Sequence, residues 1–222
     1  MEINFMYKLL TSMPLLQGIN GMDLARIESK VKMDFVHYTS HNAPFIKQGN
    51  KSTDLLFLSN GEITRTYSHQ EVPFKFTETI KAPFVIEPES LFGLTLEYKA
   101  TYHTDTECDV LIMKKGDVIH TLMANDIFRI NYLNSLSNII QSQEDRLLQK
   151  DAESVRSKIC RLIKNLSMNP TGEKLLEIKM IDLADHLSET RLNVSRKLND
   201  MVNEGLVVLH RKEILIPELG NL

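Results

Sequence analysis

The stretch from Met180 to Gly205 constrains the fold of this chain more than any other. Met180-Ile-Asp-Leu-Ala-Asp-His-Leu187 reads as a short helix, Ser188-Glu-Thr190 as a tight turn, and Arg191–Glu204 as a second helix stopped by Gly205. Val194, Leu198, Met201 and Val202 recur at helical spacing and can face a core. Arg191, Asn193, Arg196 and Lys197 lie off that seam, and no acid interrupts the run from Thr190 to Asn199. A guanidinium can bond guanine O6 and N7 together, and a carboxamide can do the same to adenine. A helix whose first turn carries Arg and Asn, crossed by a second short helix, therefore suits insertion into a major groove. Leu206–Ile216 follows as two β-prone runs around a polar turn at Arg211-Lys212, a wing beside the helix pair. The plainer reading is a helical hairpin packed into an unrelated core with its charges solvated. The Gly205 stop and the basic hairpin tip favour DNA.

Net charge does not carry that reading. The chain is −3 overall, and residues 151–222 hold 11 cations against 11 acids, so any affinity for DNA must come from where the cations sit. With 222 residues, 42% of them hydrophobic, the chain suits one large or two modest globular domains. Cys108 and Cys160 are far apart and form no metal-ligand spacing, so neither a disulfide framework nor a cysteine-held iron–sulfur cluster is expected. No apolar run approaches the ~18–20 residues of a membrane span, and the N-terminus lacks the pattern of a secretory signal. A cytoplasmic protein without a membrane partner is expected.

Residues 3–34 predict amphipathic helix, with Leu9, Leu10, Met13, Leu15 and Leu16 as one apolar cluster. Met22, Leu24, Ile27 and Val31 continue it after the break between Gly18 and Gly21. From Phe35 to Lys115, short β-prone runs alternate with turn residues: 35–38, 44–46, 55–58, 63–67, 74–80, 84–86, 101–104 and 110–113. That spacing predicts a β-barrel or roll, with 91–96 as a short helix inside it. Residues 117–149 predict one long helix whose narrow stripe of Ile127, Ile130, Leu133, Leu136, Ile140 and Leu147 suits pairing with the same helix of a second copy. Asp151 and Ser154 precede a further helix, Val155–Leu166.

A roll, a long helix and a winged helix–turn–helix, in that order, resemble the Crp/Fnr family of bacterial transcription regulators over nearly the whole chain. The most specific part is Leu183-Ala-Asp-His-Leu-Ser-Glu-Thr-Arg-Leu-Asn-Val-Ser-Arg-Lys-Leu198. Leu55-x-Phe57-Leu58-x-x-Gly61-x-Ile63 looks like the family's hairpin signature, and Lys81-Ala-Pro-Phe-Val-Ile86 is most similar to the PrfA-like branch. The resemblance implies an α+β protein. Residues 1–116 would form a double-stranded β-helix (jelly-roll), cyclic-nucleotide-binding-like sensor domain. Residues 117–150 would form a dimerisation helix, and residues 151–222 a winged helix–turn–helix.

Carried over by position, Arg191 and Arg196 fall on the family's base-contacting arginines and Thr190 on a phosphate contact. Leu192 replaces a glutamate that accepts from cytosine in the cyclic-AMP receptor protein, so only apolar contact, as to a thymine methyl, is open to it. Ser195, Lys197, Arg211 and Lys212 would hold phosphates, with Asn193 beside them on the DNA-facing helix. Cyclic-nucleotide members carry Gly-Glu for the ribose and Arg-Ser or Arg-Thr for the phosphate. Here Ile86-Glu87 and Lys99-Ala100 stand instead, so cyclic AMP is not expected and Glu87 and Lys99 are the remaining ligand candidates. His37, His41, His69, His103 and His120 leave haem open.

No catalytic constellation stands out. Glu87 and Glu89 around Pro88 read as solvated loop acids, Cys108 as a thiol kept protonated by acidic neighbours, and Cys160 as half-buried and inert. The expectation is a homodimeric regulator, not an enzyme, reading a pseudo-palindromic site, with RNA polymerase as a further partner if it activates. The second reading is a small-molecule-binding or protein-interaction module whose helix pair never meets DNA.

Overall fold

A residue pattern becomes an element only where its polar ends are satisfied, and the caps of this chain decide several boundaries. A computed structural model describes residues 2–39, 41–68, 73–104, 106–148 and 154–222, with the side chains of 2–5, 41–43 and 143–148 outside the description. The described chain divides into two compact units, residues 1–63 with 80–145 and residues 64–79 with 146–222. The division therefore falls at neither residue 116 nor residue 150. The first unit keeps most of the long helix and gives up a hairpin to the second.

In the first unit, α1 (Glu2–Ser12) and α2 (Gly21–Lys30) follow the expected amphipathic pattern. Asn20 caps α2, its Oδ1 accepting from the Asp23 N–H at 2.9 Å. Met22 departs from the pattern: it sits on the outer side of the first turn and is exposed. All eight expected β-prone runs are strands: β1 (Met33–Tyr38), β2 (His41–Ile46), β3 (Asp54–Asn60), β4 (Glu62–Ser68), β5 (Phe74–Lys81), β6 (Phe84–Ile86), β7 (Thr101–Thr104) and β8 (Cys108–Lys114). One antiparallel sheet runs β1-β8-β3-β6, and β2 pairs with β7. Gly61 turns the chain between β3 and β4 at φ +85°. A Cβ there would lie 2.5 Å from the Glu107 carbonyl oxygen, so the strands can approach only over glycine. The expected helix at 91–96 is instead a 3₁₀ turn at Pro88–Leu91, where proline suits the first position.

The long helix starts later than the expected residue 117, one residue before the first member of its apolar stripe, Ile127. A short α3 (Lys115–Asp117) opens into a wider turn at Val118–Leu122. Asn125 then caps a new helix, α4 (Asp126–Leu148), by accepting from the Phe128 N–H at 3.1 Å. Phe128 and Tyr132 bury against Leu10, Leu16, Ile27 and Phe57, while Leu136 is half-buried on the same side. Ile127, Ile130, Leu133 and Ile140 point away from that core. The side chain of Leu147 lies outside the described residues.

The second unit contains α5 (Val155–Leu166), β9 (Lys174–Ile178), α6 (Met180–His186), α7 (Arg191–Asn203), β10 (Val208–His210) and β11 (Glu213–Ile216). Ser154 caps α5, accepting from the Ser157 N–H at 3.1 Å. The strand β9 was not anticipated from the sequence. It carries β11 on one edge and, on the other, β5, in antiparallel register from Phe74 opposite Ile178 to Glu78 opposite Lys174. Phe74 and Phe76 thereby enter the core of Ile159, Ile163, Leu176, Leu183, Val194, Leu198 and Met201.

Buried charge fixes this register. The Glu78 side chain is fully buried and meets Arg65 Nη1 at 2.8 Å and Lys174 Nζ at 3.1 Å, with the Lys174 side chain also fully buried. The backbone N–H groups of Met168 and Asn169 donate to the same carboxylate at 2.9 and 3.2 Å. The Arg65 guanidinium and the Lys174 ammonium also donate to the carbonyls of Leu166 and Thr171. A buried pair of this kind contributes little over an apolar substitute, yet removing one member strands the others. Glu78→Ala should therefore destabilise the protein by ~3–5 kcal/mol in chemical denaturation. A loss under ~1 kcal/mol, the scale of an exposed pair, would show that the cluster does not hold the hairpin.

Candidate nucleic-acid interface

Two helix ends shape the face formed by α6 and α7. At the end of α6 the Ser188 N–H donates to the Asp185 carbonyl at 3.1 Å and the Glu189 N–H to the Ala184 carbonyl at 2.9 Å. Ser188 takes φ +54°, the left-handed position usually given to glycine. Lys158 of α5 secures that turn, its ammonium donating to Glu189 Oε1 at 2.6 Å and to the Leu187 carbonyl at 3.3 Å. Neither role was anticipated from the sequence. Ser188 lacks the glycine signal, and a lysine 30 residues upstream gives no local sign of its partner. The other end follows the expected stop. Gly205, at φ +73°, donates to the Val202 carbonyl and Leu206 to that of Met201, both at 2.9 Å.

Between these ends, α7 turns Val194, Leu198 and Met201 fully into the core. Val202, expected on that seam, is exposed, because the core is filled by its neighbours one turn apart. Arg191, Leu192 and Arg196 are exposed on the outer face, with Leu192 at 77%. Neither arginine forms a salt bridge among the described residues. Asn193 and Ser195 flank them, half-buried. Thr190 is the N-cap of α7, its Oγ1 accepting from the Asn193 N–H at 3.2 Å. Since a hydroxyl both accepts and donates, its proton stays available to an outside oxygen. Lys197 differs from the rest of the set. Its ammonium donates to Asp200 Oδ2 at 2.7 Å on the same helix and holds that carboxyl below its ordinary pKa.

The wing lies beside this face. Arg211 and Lys212 form the exposed turn between β10 and β11, with Lys212 at φ +67°. The Ile178 N–H donates to the Lys212 carbonyl at 2.8 Å, tethering the turn to the segment that enters α6. Arg191, His210 and Lys212 line one groove with Ile181. Cations from the helix and from the hairpin are thus brought to one surface, which can bind a polyanion while the exposed Leu192 offers an apolar contact.

The first unit holds the other candidates. Glu87 and Glu89 are not solvated loop acids. Glu87 is buried and bonded within the chain, and Glu89 is half-buried with Lys99 Nζ at 3.5 Å. Lys99 itself is exposed. His37 Nδ1 is 2.8 Å from Asp109 Oδ1, a bond that raises the imidazole pKa and lowers that of the carboxyl. This pair favours the fold below pH 6.5 and loses that contribution as pH rises through the raised His37 pKa. The Asp109 side of the pair fades as pH falls through its own lowered value. His103 is half-buried and His120 exposed, while His69 and the side chain of His41 lie outside the described residues. Burial, more than its acidic neighbour, pushes the Cys108 thiol up, and burial does the same to Cys160.

No family model and no curated protein matches the chain. Solved structures are similar to it. The catabolite activator protein of Thermus thermophilus has a TM-score of 0.53 at 18% identity, over 91% of this chain and 93% of that one. The sensor domain of the transcriptional regulator DNR from Pseudomonas aeruginosa has a TM-score of 0.54 at 16% identity, over 68% of this chain and 99% of that one. CprK in complex with OCPA has a TM-score of 0.50 at 12% identity, over 90% and 92%. The chain has the fold of the catabolite activator protein over nearly its whole length.

Proposed function

We propose that this chain is a homodimeric transcription regulator of the Crp/Fnr type. It reads a pseudo-palindromic promoter site through a winged helix–turn–helix in which α7 is the recognition helix. The observation that carries this reading is the outer face of α7. Arg191, Leu192 and Arg196 stand exposed there, opposite a seam buried in the core, and the basic wing turn is tethered alongside. Arg191 and Arg196 read base edges, Leu192 makes apolar contact, and Thr190, Ser195, Arg211 and Lys212 hold phosphates. Lys197 must trade Asp200 for a phosphate to join them. The similar structures, an activator protein and the sensor domain of a transcriptional regulator, support the same reading. As an activator, its further partner would be RNA polymerase.

The dimer reading rests on α4. Ile127, Ile130, Leu133 and Ile140 are 41%, 52%, 55% and 56% exposed, on the side opposite the buried Phe128 and Tyr132. Four large aliphatic side chains along one helix, spaced by three and seven residues, form the kind of seam that two parallel helices bury together. Two-fold symmetry then places half-sites about one helical turn, ~34 Å, apart.

Arg191→Ala should cost ~1–3 kcal/mol on the preferred site and relax the preference at one base pair per half-site, as read by fluorescence anisotropy on a panel of single-base variants. An equal loss on every sequence would refute the base-reading role. Lys212→Ala should weaken binding evenly across the panel and reduce the salt slope by about one. The double variant Ile130→Glu/Leu133→Glu should sediment as a folded monomer at concentrations where the parent is a dimer. Retention of the dimer would place the subunit interface elsewhere.

A further inference from the structure

After β6 the chain turns through Glu87, which takes the left-handed conformation at φ 38°, ψ 59°. A non-glycine residue there is strained and persists only where its surroundings over-determine it. The surroundings are four donors converging on one carboxylate. Oε1 accepts from the Ala100 N–H at 3.0 Å and the Tyr102 hydroxyl at 3.0 Å. Oε2 accepts from the Lys99 N–H at 2.7 Å and the Ser90 hydroxyl at 3.1 Å. Glu87 is 2% exposed, and it forms no salt bridge among the described residues.

Two consecutive backbone N–H groups, a phenol and an alcohol make a neutral cradle shaped for a two-oxygen anion. Here the anion belongs to the chain. Burial pushes the Glu87 carboxyl up, and the hydrogen bonds from Lys99 and Tyr102 oppose that rise. The Pro88 carbonyl next to it accepts from the hydroxyl of Tyr132 on α4, so the filled cradle is tied to the long helix.

We propose that Glu87 is a built-in ligand. Its carboxylate fills an oxyanion site formed by the Lys99 and Ala100 amides, the Tyr102 phenol and the Ser90 hydroxyl. Removing the side chain opens that site to a small free carboxylate such as acetate. The site is closed to outside anions while Glu87 is present, and the turn Pro88–Leu91 is held without a bound small molecule.

Glu87→Ala takes the carboxylate away from these four donors and should lower Tm by roughly 5–10 °C. Acetate titrated into this variant, against chloride at matched ionic strength, should raise Tm in a saturable way. It should also shift the Lys99 and Ala100 amide resonances toward their positions in the parent protein. The parent should show neither response. An acetate response equal to chloride, or equal in parent and variant, would overturn the proposal. If Glu87→Ala fails to fold even with acetate, Glu87→Gln decides the question. Its carboxamide keeps one acceptor oxygen and puts an NH2 where the other stood, so one of the Lys99 and Ala100 amides, which bond to different oxygens, should lose hydrogen-exchange protection. Protection equal to the parent's at both amides would contradict the built-in ligand.

Discussion

The second unit depends on the burial of Glu78. A carboxylate removed from water needs several charged or dipolar partners, and this one recruits them from three separate stretches of chain. Arg65 lies one strand away, Lys174 is directly opposite in register, and the Met168 and Asn169 amides follow α5. Satisfying one charge therefore aligns β4, β5 and β9 and fixes where α5 ends. The edge of that sheet continues through β11 to β10, which carries the wing turn. The position of Arg211 and Lys212 relative to α7 traces back to this cluster.

Much of the surface proposed to face DNA is legible in the sequence because its determinants are local. The α7 seam, the Gly205 stop and the polar turn at Arg211-Lys212 each follow from residues within one or two turns of each other, and the structure has all three. All eight strand runs were legible for the same reason, since alternation and turn residues are short-range signals. What was hidden is long-range. Nothing near Lys174 announces a strand, because a fully buried lysine reads as a surface residue until its partner Glu78, 96 residues earlier, is placed beside it. The transfer of residues 64–79 to the second unit follows from the same pairing.

Two further differences come from polar groups used inside the chain. The long helix expected over residues 117–149 is broken at its start: the Asn125 cap opens α4 at Asp126, and the wider turn before it is a separate element whose Val118 and Leu122 join the same core as Phe128 and Tyr132. Glu87 looked like a solvated acid or a ligand contact, yet its carboxylate is consumed by four internal donors. Lys197 shows a milder version, since Asp200 three residues on could have been read as its partner at helical spacing. In each case, side-chain chemistry identified a polar group capable of an interaction, and the fold decided whether that capacity was spent internally.

The central claim is that the exposed face of α7 reads a particular DNA sequence. Its most direct test is to retain sheared genomic DNA on the purified protein at near-physiological salt and sequence what is held, with and without added cell extract. The account predicts enrichment of one inverted repeat with half-sites a helical turn apart. Retention without any common sequence, or no retention even with extract, would contradict it.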